Sequence, residues 1–379
     1  MRILLVGDYP PDARLGSTKV LVKLQEELRA LGCTCDLLLS DALGAFPANV
    51  YARQALGPLV ALAAVTRTIR ARGKYDVIDV ASAEGAWIAR LRSRVGNAAV
   101  ISRSNGLEHL NYRRLLDDAA AGLTRKGWTR RLFHPAVRLT QVASAARHAD
   151  RLLLLNDRDR HFALSRGWKR DEDVDIVPHG VSSAFLRSAP PHDRPRGLGI
   201  LFCGSWTPVK GTTYLAQAVD ILVQRGIRSN LTILGGGVDP ATIRSAFGPE
   251  SQPLLTILDR APEAEVMAAY RTHDVLAWSS TYEGFGMVVV EAMSQRLPIV
   301  ATPVGCAASL IDSGASGLLV PARDPRALAD GLERMLGDAG LRARCAESAF
   351  TRVSGMTWSN TARQTLDVYT RAVEQTRVH

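Results

Sequence analysis

HDVLAWSSTYEGFGMVVVEAMS, residues 273–294, reads as a strand, a polar turn and a helix in immediate succession. Val275–Trp278 is a short apolar run that suits a buried strand. Ser279, Ser280, Thr281 and Tyr282 lead away from it, and Glu283 stands just before Gly284-Phe285-Gly286. From Phe285 onward, Met287, Val288, Val289, Glu291, Ala292 and Met293 read as helix. Glycines at a helix entrance let the backbone approach a ligand closely, and the N–H groups there attract anions with the help of the helix dipole. Glu291 follows Glu283 by eight residues, about 12 Å of helical rise. Carboxylates at the two ends of such a segment can accept hydrogen bonds from hydroxyls. That span suits a diphosphate with a sugar on one side and a ribose on the other.

Working outward, the same grammar recurs on both sides. Downstream, 297–302 and 314–320 read as strands and 324–336 as a helix. Upstream, 199–203 is a strand that runs into Gly204-Ser205-Trp206-Thr207-Pro208-Val209-Lys210-Gly211. Strand 231–234 ends in Gly235-Gly236-Gly237, and strand 254–258 ends at Asp259-Arg260. Residues 189–197 are a linker by their proline and charge content. Before them lie short strands at 2–7, 36–39, 76–80, 99–102, 151–155 and 175–177. A helix from about Thr18 presents Val20, Leu21, Leu24, Leu28 and Leu31 on one face and closes at Gly32. Strands alternating with helices predict α/β architecture with parallel sheets. Two domains follow: 1–185, completed by a C-terminal helix at 358–379, and 198–357. Ligands in such sheets bind beyond the carboxyl ends of the strands.

EGFGMVVVEAM resembles the signature of the retaining glycosyltransferases of family 4, which have the GT-B fold, two Rossmann-like domains facing a central cleft. The resemblance implies transfer of a sugar from a nucleoside-diphosphate sugar to a glycan or lipid-linked acceptor in cell-envelope or polysaccharide biosynthesis. It implies that Glu283 contacts the transferred sugar and Glu291 the ribose. The backbone of Gly284, Phe285, Gly286, Met287 and Val288 would hold sugar and phosphate. Lys210 and Gly211 match the family's diphosphate loop, which opens here at Gly204, but Ser205 stands where the family has an arginine. Gly235 matches the glycine loop, and Arg260 lies where the nucleobase meets backbone groups. Gly16 occupies the place of a glycine pair at the first helix. Asn105 replaces the histidine that faces the reacting sugar, and an amide cannot act as acid or base near pH 7. His109, four residues on, reads as structural. Ser309 stands where a glutamate is common.

No metal and no cofactor are expected. Lys210, main-chain N–H groups and the helix start at Phe285 would stabilise the leaving diphosphate. No nucleophilic carboxylate is evident, so a same-face displacement is expected, with Glu283 orienting the sugar. An epimerase or hydrolase on the same fold, or a nucleotide-sugar-binding protein without catalysis, stay open as alternatives.

The chain of 379 residues carries a formal net charge of +10, 46% hydrophobic and 22% charged residues. That is the balance of a globular protein, with no run of about 20 apolar residues. Five cysteines without metal-ligand spacing point to free thiols and a cytoplasmic protein. Residues 103–170 hold 15 Lys and Arg against 6 Asp and Glu, so +9 of the charge sits there. Arg125, Lys126, Trp128, Arg130, Arg131, Leu132 and Phe133 mix cations with apolar anchors. This segment is either a solvated basic face or a peripheral contact with the inner face of an anionic membrane. No nucleic-acid module accompanies it.

Overall fold

Twelve parallel strands form two six-stranded sheets in a computed structural model that describes residues 1–12, 16–47, 49–124, 132–187, 197 and 199–378. The first sheet is built from β1 (Arg2–Val6), β2 (Thr34–Leu38), β3 (Val77–Ala81), β4 (Ala99–Arg103), β5 (Arg151–Leu154) and β6 (Val174–Ile176), in the order β2-β1-β3-β4-β5-β6. The second uses β7 (Ile200–Cys203), β8 (Leu231–Leu234), β9 (Leu255–Leu258), β10 (Val275–Trp278), β11 (Ile299–Ala301) and β12 (Leu318–Leu319), in the order β12-β11-β10-β7-β8-β9. The strands expected from apolar runs all form. Most of their residues are buried, and the central strands almost wholly so, which is why they read as continuous hydrophobic stretches and not as alternating ones.

The chain divides into two units, Met1–Gly180 with Trp358–His379, and Val181–Thr357. Each sheet has one point where the winding direction reverses: between β1 and β3 in the first, between β7 and β10 in the second. Loops diverge there, and ligands of doubly wound sheets lie in that crevice.

The C-terminal helix Trp358–Val378 belongs to the first unit. Its Val368, Tyr369 and Ala372 join Ile3, Leu5 and Ile101 in one core. A buried ion pair locks it in place. The Arg103 guanidinium contacts the Asp79 carboxylate at 2.6 Å, both side chains are 1% exposed, and the Tyr369 hydroxyl donates to the same carboxylate. Residues 181–185, assigned above to the first domain, belong to the second unit instead. Phe185 is buried there, and its carbonyl accepts from Gln295 Nε2 at 2.5 Å.

Part of the basic stretch is internal. Arg114 pairs with Asp118, Arg138 with Glu84 and Glu108, and Arg151 with Asp175. Residues 125–131 lie outside the described residues. Phe133, expected at a membrane interface, packs edge-on against Tyr51 with ring centroids 5.0 Å apart, whereas Leu132 is 66% exposed. Among the described residues, no helix is long and apolar enough to cross a membrane.

Candidate functional site

In the second unit, the loops after β7 and β10 meet at the winding reversal. The first is stitched to the second by three hydrogen bonds. Ser279 Oγ donates to the Lys210 carbonyl at 2.8 Å, and Thr281 donates to the Val209 carbonyl from its backbone N–H at 2.8 Å and from Oγ1 at 3.2 Å. Gly211 makes this approach feasible. It has φ +68°, and a Cβ there would lie 1.8 Å from the Ser279 carbonyl oxygen. No other residue fits without moving the backbone.

The stitching brings Lys210 Nζ within 2.5 Å of Glu283 Oε1, with side chains 23% and 13% exposed. Ser280 Oγ donates to the same carboxylate oxygen at 2.9 Å. The lysine also stands over the Trp278 ring, 5.1 Å from its centroid. Two helices begin beside this pair: Thr212–Gln224 directly after Gly211, and Met287–Ser294 after the left-handed Gly286 at φ +95°. The first N–H groups of a helix have no intrahelical carbonyl to bond. Such N–H groups attract anions, and Lys210 adds a positive charge beside them.

The second helix starts two residues later than the apolar pattern suggests. Phe285 and Gly286 belong to the turn, so only Met287–Glu291 contributes helical rise, about 6 Å and not 12 Å. The Phe285 carbonyl accepts from the Cys306 N–H at 2.6 Å, and a Cβ on Gly305, at φ +57°, would sit 2.3 Å from that carbonyl oxygen. Phe285 therefore supports the turn from a buried position and is no helix start facing phosphate.

Glu291 is 9% exposed on the buried side of its helix, and its Oε2 accepts from the Tyr270 hydroxyl at 3.3 Å. The same hydroxyl reaches Cys203 Sγ at 3.6 Å. Burial pushes the Cys203 thiol up to about 12 and the Tyr270 hydroxyl well above its usual value. Both therefore stay protonated at neutral pH. Gly204 donates its N–H to Leu234, and Trp206 donates to the Gly236 carbonyl at 2.7 Å, so the β7 and β8 loops are tied together. Arg260 is exposed, and its Cγ lies 3.8 Å from where a Cβ on Gly235 would stand. Ser309 is exposed and donates to the Cys306 carbonyl at 3.2 Å.

The remaining expected residues, Gly16 and Asn105, lie in the first unit. Gly16 opens the helix Gly16–Ala30 with open space around its α-carbon. Asn105 follows β4 and lines a cavity of about 410 Å³, within the range of small-molecule sites. His109 does not reach this cavity lining. It packs against Trp168 at 4.7 Å and Phe162 at 5.6 Å between ring centroids, and burial lowers its pKa to about 4, so it is a neutral, half-buried packing residue.

The cavity was not anticipated beyond Asn105. Its other polar walls come from the ends of β1 (Asp8, Tyr9) and β3 (Ser82, Glu84), from Arg53 and Gln54 on the helix Val50–Arg72, from Glu108, and from Arg138. Arg138 sits in a π-helical turn, His134–Leu139, a conformation often kept at functional sites. Ser82 has φ +50°, an unusual value for a residue with a Cβ. The one available sequence signal was position, since Asp8 and Ser82 directly follow strands flanking the winding reversal.

Comparisons with known proteins bear on the family and the fold. Residues 197–338 match the family described as glycosyl transferases group 1. A D-inositol 3-phosphate glycosyltransferase from Kineococcus radiotolerans is 32% identical over 63% of this chain and 61% of that protein. One from Corynebacterium glutamicum is 31% identical over 59% and 54%, and one from Corynebacterium efficiens 28% over 75% and 76%. The chain thus spans between half and two thirds of the first two relatives. In structure, it is similar to a sucrose-phosphate synthase from Thermosynechococcus elongatus, with a TM-score of 0.77, 19% identity and 98% of each chain covered. It is also similar to HepE from Anabaena in complex with UDP, with a TM-score of 0.71, 17% identity and coverage of 98% and 100%. The fold is GT-B.

Proposed function

Because the chain carries a glycosyl transferases group 1 domain at residues 197–338, we propose that it transfers a sugar from a nucleoside-diphosphate sugar to a hydroxyl of an acceptor, with the anomeric configuration retained. The observation that carries this reading is the Lys210–Glu283 pair, set between two helix N-termini where the β7 and β10 loops meet. Lys210 and the N–H groups at Met287 and Val288 stabilise the leaving diphosphate by charge and dipole. Glu283 accepts hydroxyls of the transferred sugar, and Glu291 those of the ribose. Gly235 and Arg260 border the base. The neighbouring complex with UDP and the relatives' inositol phosphate chemistry support a nucleotide donor and a polyol acceptor.

No metal takes part in this proposal. The departing phosphate takes the acceptor proton on the same face of the sugar, since Asn105 cannot serve as a base. A peripheral contact between residues 125–133 and an anionic membrane is the finer part of the proposal, supported by the cations of that segment. Sedimentation with anionic vesicles at low salt tests it, and protein left in solution would remove it.

The direct test is proton NMR of the reaction with nucleoside-diphosphate glucose and a polyol extract. Nucleoside diphosphate should appear only with acceptor present, together with a product of retained anomeric configuration. Inverted product, or free sugar formed at the same rate without acceptor, would overturn the reading.

A further inference from the structure

The cavity of the first unit shows what kind of acceptor it is built to hold. Three carboxylates line it, Asp8, Glu84 and Glu108, against two arginines, Arg53 and Arg138. Among the described residues of the lining, the formal balance is therefore −1. Neither arginine faces the space with its charge uncompensated. Arg53 contacts Asp8 through Nη2 at 2.6 Å and Nε at 3.3 Å. Arg138 lies between two carboxylates. Its Nη1 donates to Glu84 Oε1 at 2.6 Å, and its Nε and Nη2 donate to Glu108 at 3.0 Å each. A planar guanidinium engaged on both edges has few N–H groups left for a phosphate, and a phosphate entering here would meet three carboxylates at short range.

What the cavity does offer is hydroxyl chemistry. Asn105 Oδ1 is buried without a hydrogen-bond partner, and its Nδ2 donates to the Tyr9 hydroxyl at 3.3 Å. An acceptor atom buried without a partner is unfavourable unless a ligand supplies the donor. The Tyr9 hydroxyl, accepting from Asn105, keeps its own hydrogen to donate. Burial and the nearby Glu84 carboxylate push Tyr9 above its usual pKa, so it stays a neutral donor. Ser82 Oγ donates to Glu108 Oε1 at 2.7 Å, which fixes that carboxylate with acceptor capacity remaining. Carboxylates held in place beside an unpaired amide oxygen and a phenol are the groups that bind vicinal hydroxyls. They are not an anion site.

We propose that this cavity binds an uncharged polyhydroxylated ring, a monosaccharide or cyclic polyol, and discriminates against its phosphate esters, because Arg53 and Arg138 are held by Asp8, Glu84 and Glu108 while Asn105 and Tyr9 face the space as hydroxyl partners. The inference rests on the transfer reading above, since it names the acceptor of that reaction. It parts this chain from relatives whose names specify an inositol phosphate.

The experiment uses the full chain, with and without UDP, and reads binding by saturation-transfer NMR. The probes are myo-inositol and glucose against myo-inositol 3-phosphate and glucose 6-phosphate. At least one neutral ring should bind ten times or more tightly than its own phosphate ester. Equal or tighter binding of the esters overturns the proposal, and so does binding of none of the four. Glu108→Gln provides the second arm. It frees one edge of Arg138, so affinity for the ester should rise about tenfold while affinity for the neutral ring falls. A thermal melt and UDP titration of the same variant verify that both units are intact. Parallel losses for neutral ring and ester in an intact variant overturn the proposal. Failure of sugar transfer as such is distinguishable. It appears as absent UDP binding or absent donor turnover, whereas a wrong acceptor class leaves both in place and changes only which probe binds.

Discussion

The Lys210–Glu283 pair makes a prediction in which two neighbouring substitutions have opposite signs. At a separation of 2.5 Å and an effective dielectric of about 20, the attraction is roughly 6–7 kcal/mol before desolvation is counted. Both side chains are partly exposed, so the net worth of a charged hydrogen bond here is nearer 1.5–3 kcal/mol. A diphosphate arriving at the helix N-termini competes with Glu283 for the lysine. Lys210→Ala removes the cation and should weaken UDP binding by about 10–100-fold, at 1.4 kcal/mol per tenfold. Glu283→Gln removes the competitor, keeps the shape and leaves Ser280 Oγ with a partner. UDP should bind that variant up to about tenfold more tightly, while turnover of the nucleotide sugar falls because the sugar loses its carboxylate. Isothermal titration of UDP against the wild type and both variants, with the double variant closing the cycle, measures the coupling. If Glu283→Gln weakens UDP as much as Lys210→Ala does, the two residues do not compete and the reasoning fails.

Glu291→Ala should reduce UDP affinity by about 1–3 kcal/mol, and an unchanged dissociation constant with intact fold would remove its assignment to the ribose. Asp79→Ala leaves the Arg103 guanidinium buried without its counter-charge, so chemical denaturation should show a loss of about 3–5 kcal/mol. A loss under 1 kcal/mol would mean the pair does not hold the C-terminal helix. Asp159 is 1% exposed, accepts the Leu107 N–H at 3.1 Å, and has its pKa raised by burial to about 7 from 3.8. Its folded form keeps a proton that the unfolded chain has already released, so its contribution to stability is full below pH 3.8 and is lost as pH rises towards 7. His109, lowered to about 4 from 6.5 by burial, acts in the opposite sense over that window. Asp159→Asn should therefore make stability fall more steeply on acidification between pH 4 and 6.5, by about 1.4 kcal/mol per pH unit. Denaturation midpoints that shift equally at every pH would contradict it.

What could be read from the sequence was what neighbouring residues decide together. A buried parallel strand is an apolar run, and each of the twelve was visible as one. The turn from Trp278 through Glu283 to the helix was visible in the same way, because glycines and the onset of helical spacing are local signals. Even there the helix start was misplaced. An apolar count cannot see that Gly286 adopts a left-handed conformation, which holds Phe285 in the turn.

Contacts between distant residues were not legible. Lys210 and Glu283 are 73 residues apart, and each was a sensible candidate alone, but their mutual ion pair follows from β7 lying beside β10. The cavity of the first unit draws on residues from Asp8 to Arg138, brought together only because β1, β3 and β4 are neighbours. The basic stretch shows the difference most sharply. Composition counted its cations correctly, yet Arg103, Arg114, Arg138 and Arg151 each face a carboxylate inside the fold. Sequence patterns record which residues leave water and in what local conformation, because solvent exclusion acts on each segment by itself. Which charge compensates which is settled only when strand order brings distant segments within a few ångströms, because a buried ion persists only where the completed fold supplies its partner.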